Sequence, residues 1–437
     1  MNRNLVSAVE RFGLSTDGLG AGDGNKIPNT LGVYNGEAWV YMQSSEDSNW
    51  WTGAKLLWKY GLAPIRTQNL MKETTGKFFK MYDAPHFPFS DLSQTIYDVG
   101  LTDIIASTGE QYLKGNNIEA PFSTDIIQAS TRVNYAQNLD TIHGLETMVC
   151  MATSGAMSVR GGNWQIFSHM LSASRAMVHR NTSVTSITKQ SDGSYDLTSV
   201  PYPAWDVLPK PNSMVITTAS YDTIILASPL QYADLTLSPP PLKPPSTIPY
   251  VHLHVTLFTT PYTLNPLFVH LHPSSKVPRT ILTTPNPQGK SPDFYSISTL
   301  RTSLNPATAE QEFLYKIFSP EPMSRESMIS ILYSDEDDTT RETISWILRK
   351  EWNSYPIEYP RVTFEDVFLQ DEEGGGEGKG AGGLWYTSGI ESFISTMETS
   401  SLMGMNIAKL VTDGWRRNED GVKEGLNEVE GAVGGEL

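Results

Sequence analysis

The sequence predicts an α/β plus α+β chain in which two domains are interleaved, and three observations lead there. The block Leu384 to Leu410, LWYTSGIESFISTMETSSLMGMNIAKL, reads as a strand, a glycine turn and a helix. A series of β-like runs at 252–259, 279–284, 294–300 and 313–318 follows the proline cluster at 239–249 and marks a second sheet. Helix formers dominate 48–115 and return over 123–156.

Composition supports a folded chain. With 437 residues, 39% hydrophobic and including 10 Trp, 19 Tyr and 15 Phe, the chain can fill a substantial core. A net charge of -16 argues against nucleic-acid binding, which needs clustered Lys and Arg to displace counterions. Cys150 is the only cysteine, so intrachain disulfides and cysteine-zinc clusters are excluded. Its neighbours in ETMVCMATSGAM mark it as a small buried hydrophobe. Apolar runs such as 223–227 are far shorter than the roughly 20 residues that cross a bilayer, so no transmembrane helix is expected.

In chain order, MNRNLVSAVERFG places Leu5, Val6, Val9 and Phe12 at helical spacing, an amphipathic helix without the features of a signal peptide. The Gly-rich DGLGAGDGN at 17–25 reads as a loop and IPNTLGVYNGEAWVY as a hairpin. The aromatic-rich helical stretch Trp50 to Tyr82 is a packed core or the lining of a lipophilic pocket. Gly161 and Gly162 turn the chain into an amphipathic helix through Leu171. Strands are expected at 183–187 and 194–199 around the turn SDG, and a short buried strand at 221–227. After the second sheet, helices are expected at 324–332 and 340–352, then the linker DEEGGGEGKGAGG at 371–383 and a disordered acidic tail over 413–437.

Several motif matches dissolve on inspection. Gly378, Gly380 and Gly383 satisfy G-x-G-x-x-G, but acidic residues precede them and a strand follows, so their amides cannot converge on a phosphate at a helix N-terminus. His252 and His254, like His270 and His272, lie two apart, yet no H-E-x-x-H or accompanying carboxylate cluster is visible. They read as strand histidines with polar partners, and no metal is assigned. No G-x-S-x-G elbow is present either.

The C-terminal block keeps a specific logic. Gly389 permits close backbone approach, Glu391 offers a carboxylate to ribose or ribityl hydroxyls, and a helix starting near Ser395 directs its first amides, at Thr396 and Met397, toward negative charge. That suits the anionic N1 and O2 edge of a reduced flavin. An ordinary capped helix packed by Ile394, Leu402 and Ile407 fits the same block.

Three stretches together, RVNYAQNLD at 132–140, GGNWQIFSHML at 161–171 and the block at 384–410, resemble the prenylcysteine oxidase (prenylcysteine lyase) family of FAD enzymes. NRNLVSAVERFGLS, YNGEAWVY and YKIFSP extend the likeness to about Trp415, and the GIE and TME elements also recur in FAD-dependent amine oxidases. The resemblance implies an incomplete FAD-binding Rossmann-type domain of the glutathione reductase/amine oxidase-like kind. By this reading that domain comprises 1–25, 160–232 and 384–412, and the substrate domain comprises 26–159 and 233–370. It further implies that Gly389, Ile390 and Glu391 meet the ribityl and pyrophosphate region, that Thr396, Met397 and Glu398 meet the pyrimidine edge, and that the backbone of Val184 meets adenine.

The implied reaction oxidises the thioether carbon of an S-prenylcysteine, with molecular oxygen as terminal acceptor, giving cysteine, a prenyl aldehyde and hydrogen peroxide. No catalytic residue is nominated, because the cofactor carries the chemistry. The family location is lysosomal or vacuolar, or secretory. Because the chain begins at MNRNL, past the family's glycine turn, the expectation includes a missing dinucleotide unit. Two alternatives stay open: a flavin-less prenyl-binding or inactive homologue, and another FAD oxidoreductase acting on amines or polyenes.

Overall fold

The computed structural model describes residues 2–18, 30–43, 49–153, 156–202, 216–332, 343–369 and 382–433, with backbone alone for 49–54 and 418–433. The chain opens with α1 (Arg3–Arg11), β1 (Thr16–Gly18) and the hairpin β2 (Leu31–Tyr34) and β3 (Trp39–Met42). The Asn35 side chain shapes the hairpin turn by accepting the amides of Glu37 and Ala38. A helical lobe follows: α2 (Asn49–Tyr60), α3 (Ala63–Phe79), α4 (Leu92–Asp98), α5 (Thr102–Ile105), α6 (Gly109–Gly115), α7 (Gln128–Tyr135) and α8 (Gly144–Met151). Its starts are read from local chemistry: Asp91 caps α4, and Thr108 with Gln111 forms a reciprocal capping box on α6.

Next come β4 (Met157–Val159), which pairs with β1, and α9 (Trp164–Ser174). Strands β5 (Thr182–Lys189), β6 (Tyr195–Pro201) and β7 (Thr217–Tyr221) form a meander, β8 (Thr223–Leu226) leaves it, and β9 (Thr236–Ser238) joins β5 in parallel. The second sheet holds β10 (Tyr250–Thr260), β11 (Thr280–Thr283), β12 (Ser296–Leu304) and β13 (Gln311–Ser319), followed by α10 (Arg325–Ser330) and β14 (Trp346–Pro356). Its seven strands run β14-β10-β13-β12-β11-β2-β3, with β2 and β11 parallel and the other neighbours antiparallel. β15 (Gly383–Tyr386), parallel to β8, leads to α11 (Met397–Val433).

Three expectations change. The helix expected over 340–352 is replaced by β14 over its described part, because pairing with β10 from Trp346 to Pro356 overrides the helix-forming composition. The tail expected to be disordered from 413 continues α11 to Val433. His270 and His272 are not strand residues: His270 ends a 3-10 turn at φ 56 and bonds Tyr34, while His272 bonds Ser274. Most of the 17–25 loop, the 371–381 part of the linker, and Gly378 and Gly380 lie outside the described residues.

The helical lobe and the C-terminal block share one core. One cluster joins Phe78, Met81, Leu92 and Ile105 of the helical lobe to Ile390, Phe393, Leu402 and Ile407 of the C-terminal block. Each such side chain contributes about 1.5–3 kcal/mol on burial, so lobe and block stabilise one another. Among the described residues, no helix is long and apolar enough to cross a membrane.

Candidate active site

The turn from β15 into α11 is built under tight steric control. Gly383 enters β15 at φ +134, and a Cβ there would fall 2.3 Å from the Phe368 ring. The chain then turns through a 3-10 helix, Ser388–Ser392. A Cβ on Gly389 would meet Glu365 Cβ at 3.0 Å, a tight approach that glycine relieves, and Ile390, 1% exposed, points into the core. Both residues therefore offer backbone rather than side chain to a ligand. Glu391 Oε2 accepts a 2.9 Å hydrogen bond from the Tyr250 hydroxyl at the start of β10. Burial first, then the Glu391 charge, pushes the Tyr250 phenol well above its ordinary pKa, so it stays a donor.

Five residues beyond Glu391, Thr396 caps α11. Its hydroxyl accepts from the Thr399 amide at 3.1 Å, and Thr399 Oγ1 accepts from the Thr396 amide at 3.2 Å. Met397 is half-exposed, and the first-turn amides of Met397 and Glu398 have no intrahelical acceptor. A cavity of about 210 Å³ opens beside this helix start, lined by Phe78, Val149, Ile394, Thr396, Glu398 and Thr399.

The Glu398 side chain serves the fold. Its buried carboxylate accepts the amides of Asn4 at 2.7 Å and Leu5 at 3.0 Å and the Tyr82 hydroxyl at 2.7 Å. The start of α1 needs an acceptor that Asn2 does not supply, and Glu398 provides it from the far end of the chain. The carboxylate is thus committed to the fold, leaving only its backbone for the pyrimidine-edge role.

Val184, in β5, lines a separate cavity of about 500 Å³ with Thr182, Leu197, Ser199, Ala219 and Tyr221. It packs in one cluster with Ile224, Leu384 and Tyr386, which connects its sheet to the strand feeding Gly389. The turn thus unites Gly389, Ile390 and Glu391 with Thr396, Met397 and Glu398, while Val184 stands on the neighbouring sheet.

Behind the turn lies a buried polar cluster that sequence reading missed. His143 caps α8 through Nδ1, 3.1 Å from the Glu146 amide, and its Nε2 lies 3.4 Å from Glu358 Oε2. Burial lowers the His143 pKa to about 3 and raises those of Glu146 and Glu358. At neutral pH the imidazole is therefore uncharged and Glu146 favours its protonated form. Tyr135 ties this cluster to the turn by donating to the Ser395 carbonyl at 2.9 Å. The local signals were His143, Glu146 and Glu358 themselves, but their convergence depends on a contact spanning more than two hundred residues.

A family model described as prenylcysteine lyase matches residues 43–424. The chain belongs to the prenylcysteine lyase family. A farnesylcysteine lyase from Arabidopsis thaliana is 26% identical over 94% of this chain and 75% of its own length. Prenylcysteine oxidase 1 from Rattus norvegicus is 27% identical over 96% and 78%, and that from Homo sapiens 24% identical over 98% and 80%. Among solved structures, a putrescine oxidase triple mutant superposes with TM-score 0.51 at 11% identity, covering 94% of this chain and 86% of that one. Cyclohexylamine oxidase from Brevibacterium oxydans gives 0.50 at 10% identity, covering 94% and 85%. These likenesses establish the α/β oxidase fold expected from the sequence.

As a prenylcysteine lyase family member, the chain is implied to use a flavin, and the turn fits one. Trp385 Nε1 and Ser388 Oγ are buried without a hydrogen-bond partner among the described residues, immediately before Gly389. The start of α11 adds first-turn amides beside the 210 Å³ cavity, whose lining combines Thr396, Glu398 and Thr399 with Phe78, Val149 and Ile394.

Proposed function

We propose that this chain is a flavin-dependent prenylcysteine oxidase that binds FAD and cleaves S-prenylcysteine to cysteine, a prenyl aldehyde and hydrogen peroxide. The observation that carries the reading is the family match through residue 424, which includes the turn where an apolar cavity meets the start of α11. Bound FAD would accept a hydride from the thioether carbon and pass the electrons to molecular oxygen. Water supplies the oxygen of the aldehyde, and cysteine leaves as the thiol.

The protein's part is binding and orientation. Gly389 and Ile390 would hold FAD through their backbone, Glu391 through its carboxylate, and Thr396, Met397 and Glu398 through the α11 start, with Val184 on the adenine side. Phe78, Val149 and Ile394 give the cavity an apolar wall that suits a prenyl chain and excludes water. The α11 amides favour negative charge where the reduced ring would carry it. A lysosomal, vacuolar or secretory location belongs to the same proposal and is supported by family resemblance.

The test is the visible spectrum of the purified chain after incubation with FAD and removal of unbound cofactor, followed by assay with farnesylcysteine. Retained flavin together with farnesal and peroxide supports the proposal. Flavin retained with turnover only of amines or polyenes would move it to another oxidoreductase class. A colourless protein that binds a farnesylated peptide would favour a flavin-less prenyl-binding role.

A further inference from the structure

We propose that His252, His254 and Glu351 form a binding site for a divalent transition-metal ion of the zinc type at the edge of the seven-stranded sheet. Alternation along β10 sends the side chains of His252 and His254 from the same face. Antiparallel pairing sets Glu351 of β14 opposite His254 and Asn353 opposite His252. One ring nitrogen from each histidine and one Glu351 carboxylate oxygen all lie within 4.8 Å of one another.

The geometry favours coordination over a simple ion pair. His254 Nδ1 lies 3.4 Å from Glu351 Oε2, which alone would account for a cross-strand pair. The second imidazole is also drawn in, with ring centroids 5.0 Å apart at 76°. His252 Nδ1 is 3.2 Å from Asn353 Oδ1, and because that amide oxygen only accepts, the proton sits on Nδ1 and the Nε2 lone pair is left for a metal. Such an outer hydrogen bond fixes the tautomer and orientation of a ligating imidazole. Two imidazoles and a carboxylate suit zinc and its transition-metal neighbours, whereas calcium and magnesium prefer oxygen alone.

Ligand atoms around a tetrahedral zinc stand roughly 3–3.5 Å apart, so the site must tighten on binding. Glu351 can do this by rotation, since its side chain is 66% exposed, while the nearly buried His254 gives a fixed point. The open side leaves the fourth position to water. Bound metal would cross-link β14, the outermost strand, to β10 and restrain an edge that exposes Trp346, Leu348 and Trp352. This inference does not depend on the flavin reading.

The experiment is titration of the chelator-treated full chain with Zn²⁺ by calorimetry and with Co²⁺ by visible absorption. One equivalent should bind with Kd of about 10 µM or tighter, and saturating Zn²⁺ should raise the unfolding midpoint. His252→Ala, at an exposed position, and Glu351→Ala should each weaken binding by at least about tenfold, whereas His272→Ala should leave it unchanged. No binding at about 100 µM Zn²⁺, or unchanged affinity in His252→Ala, would overturn the proposal.

Discussion

The Tyr250 hydroxyl donates to Glu391 Oε2 at 2.9 Å, joining the first residue of the long strand β10 to the glycine turn. The bond links the second sheet to the proposed cofactor residue. Tyr250→Phe removes it with little change in packing. Weakening of FAD binding by about fivefold is expected, in keeping with loss of about 1 kcal/mol. Glu391→Ala should weaken it further, by about a hundredfold if the carboxylate meets the cofactor. Quenching of flavin fluorescence measures both, and unchanged affinity in both variants would remove Glu391 from the site.

Glu398 ties the two ends of the described chain together. Glu398→Ala strands the Asn4 and Leu5 amides and the Tyr82 hydroxyl, so a destabilisation of about 2–4 kcal/mol is expected. Limited proteolysis should then cut α1 earlier than the remainder. Wild-type protection of α1 in the variant would show that the carboxylate is dispensable as a cap.

Asn406 makes a comparable tie from the third turn of α11. It accepts the Phe89 amide at 2.7 Å and donates to the Phe89 carbonyl at 2.7 Å, entirely buried. Asn406→Leu leaves both backbone groups unpaired and should cost about 2–5 kcal/mol. Denaturant unfolding measures the loss, and a change below about 1 kcal/mol would mean that water replaces the amide.

Burial holds Glu146 protonated in the folded state up to about pH 8, against an ordinary value of 4.5. The folded state therefore binds the extra proton, and stability from this group is complete below pH 4.5 and declines as pH rises to about 8. His143 works in the opposite direction. Its lowered pKa gives a contribution complete above 6.5 and lost as pH falls toward about 3. Glu146→Gln should flatten the alkaline decline, raising the melting midpoint relative to wild type by several degrees at about pH 8.5. Identical pH slopes for the two proteins would refute this assignment.

Much of the local architecture was legible because strand alternation and helix spacing operate over a few residues. The hairpin at 31–42, the meander around Ser191 and Gly193, the four strands after the proline cluster, and the strand–turn–helix at the C-terminus all follow patterns visible in sequence. β14 was not legible. Its Trp, Leu, Arg and Lys content suits a helix, and only the partner strand β10 made it extended. That change also hid the opposition of Glu351 to His254, since a carboxylate on a separate helix would have no register with a strand histidine.

The sequence by itself determined the position of the glycine turn, the capped start of α11 and the apolar faces that build the core, because each is a property of near neighbours. Tertiary structure decided which carboxylates serve which purpose. Glu391 faces Tyr250, Glu398 caps α1, and Glu146 and Glu358 are buried with His143. A carboxylate's role depends on the donors and the degree of burial around it, and folding assembles those partners from residues as many as 394 positions apart.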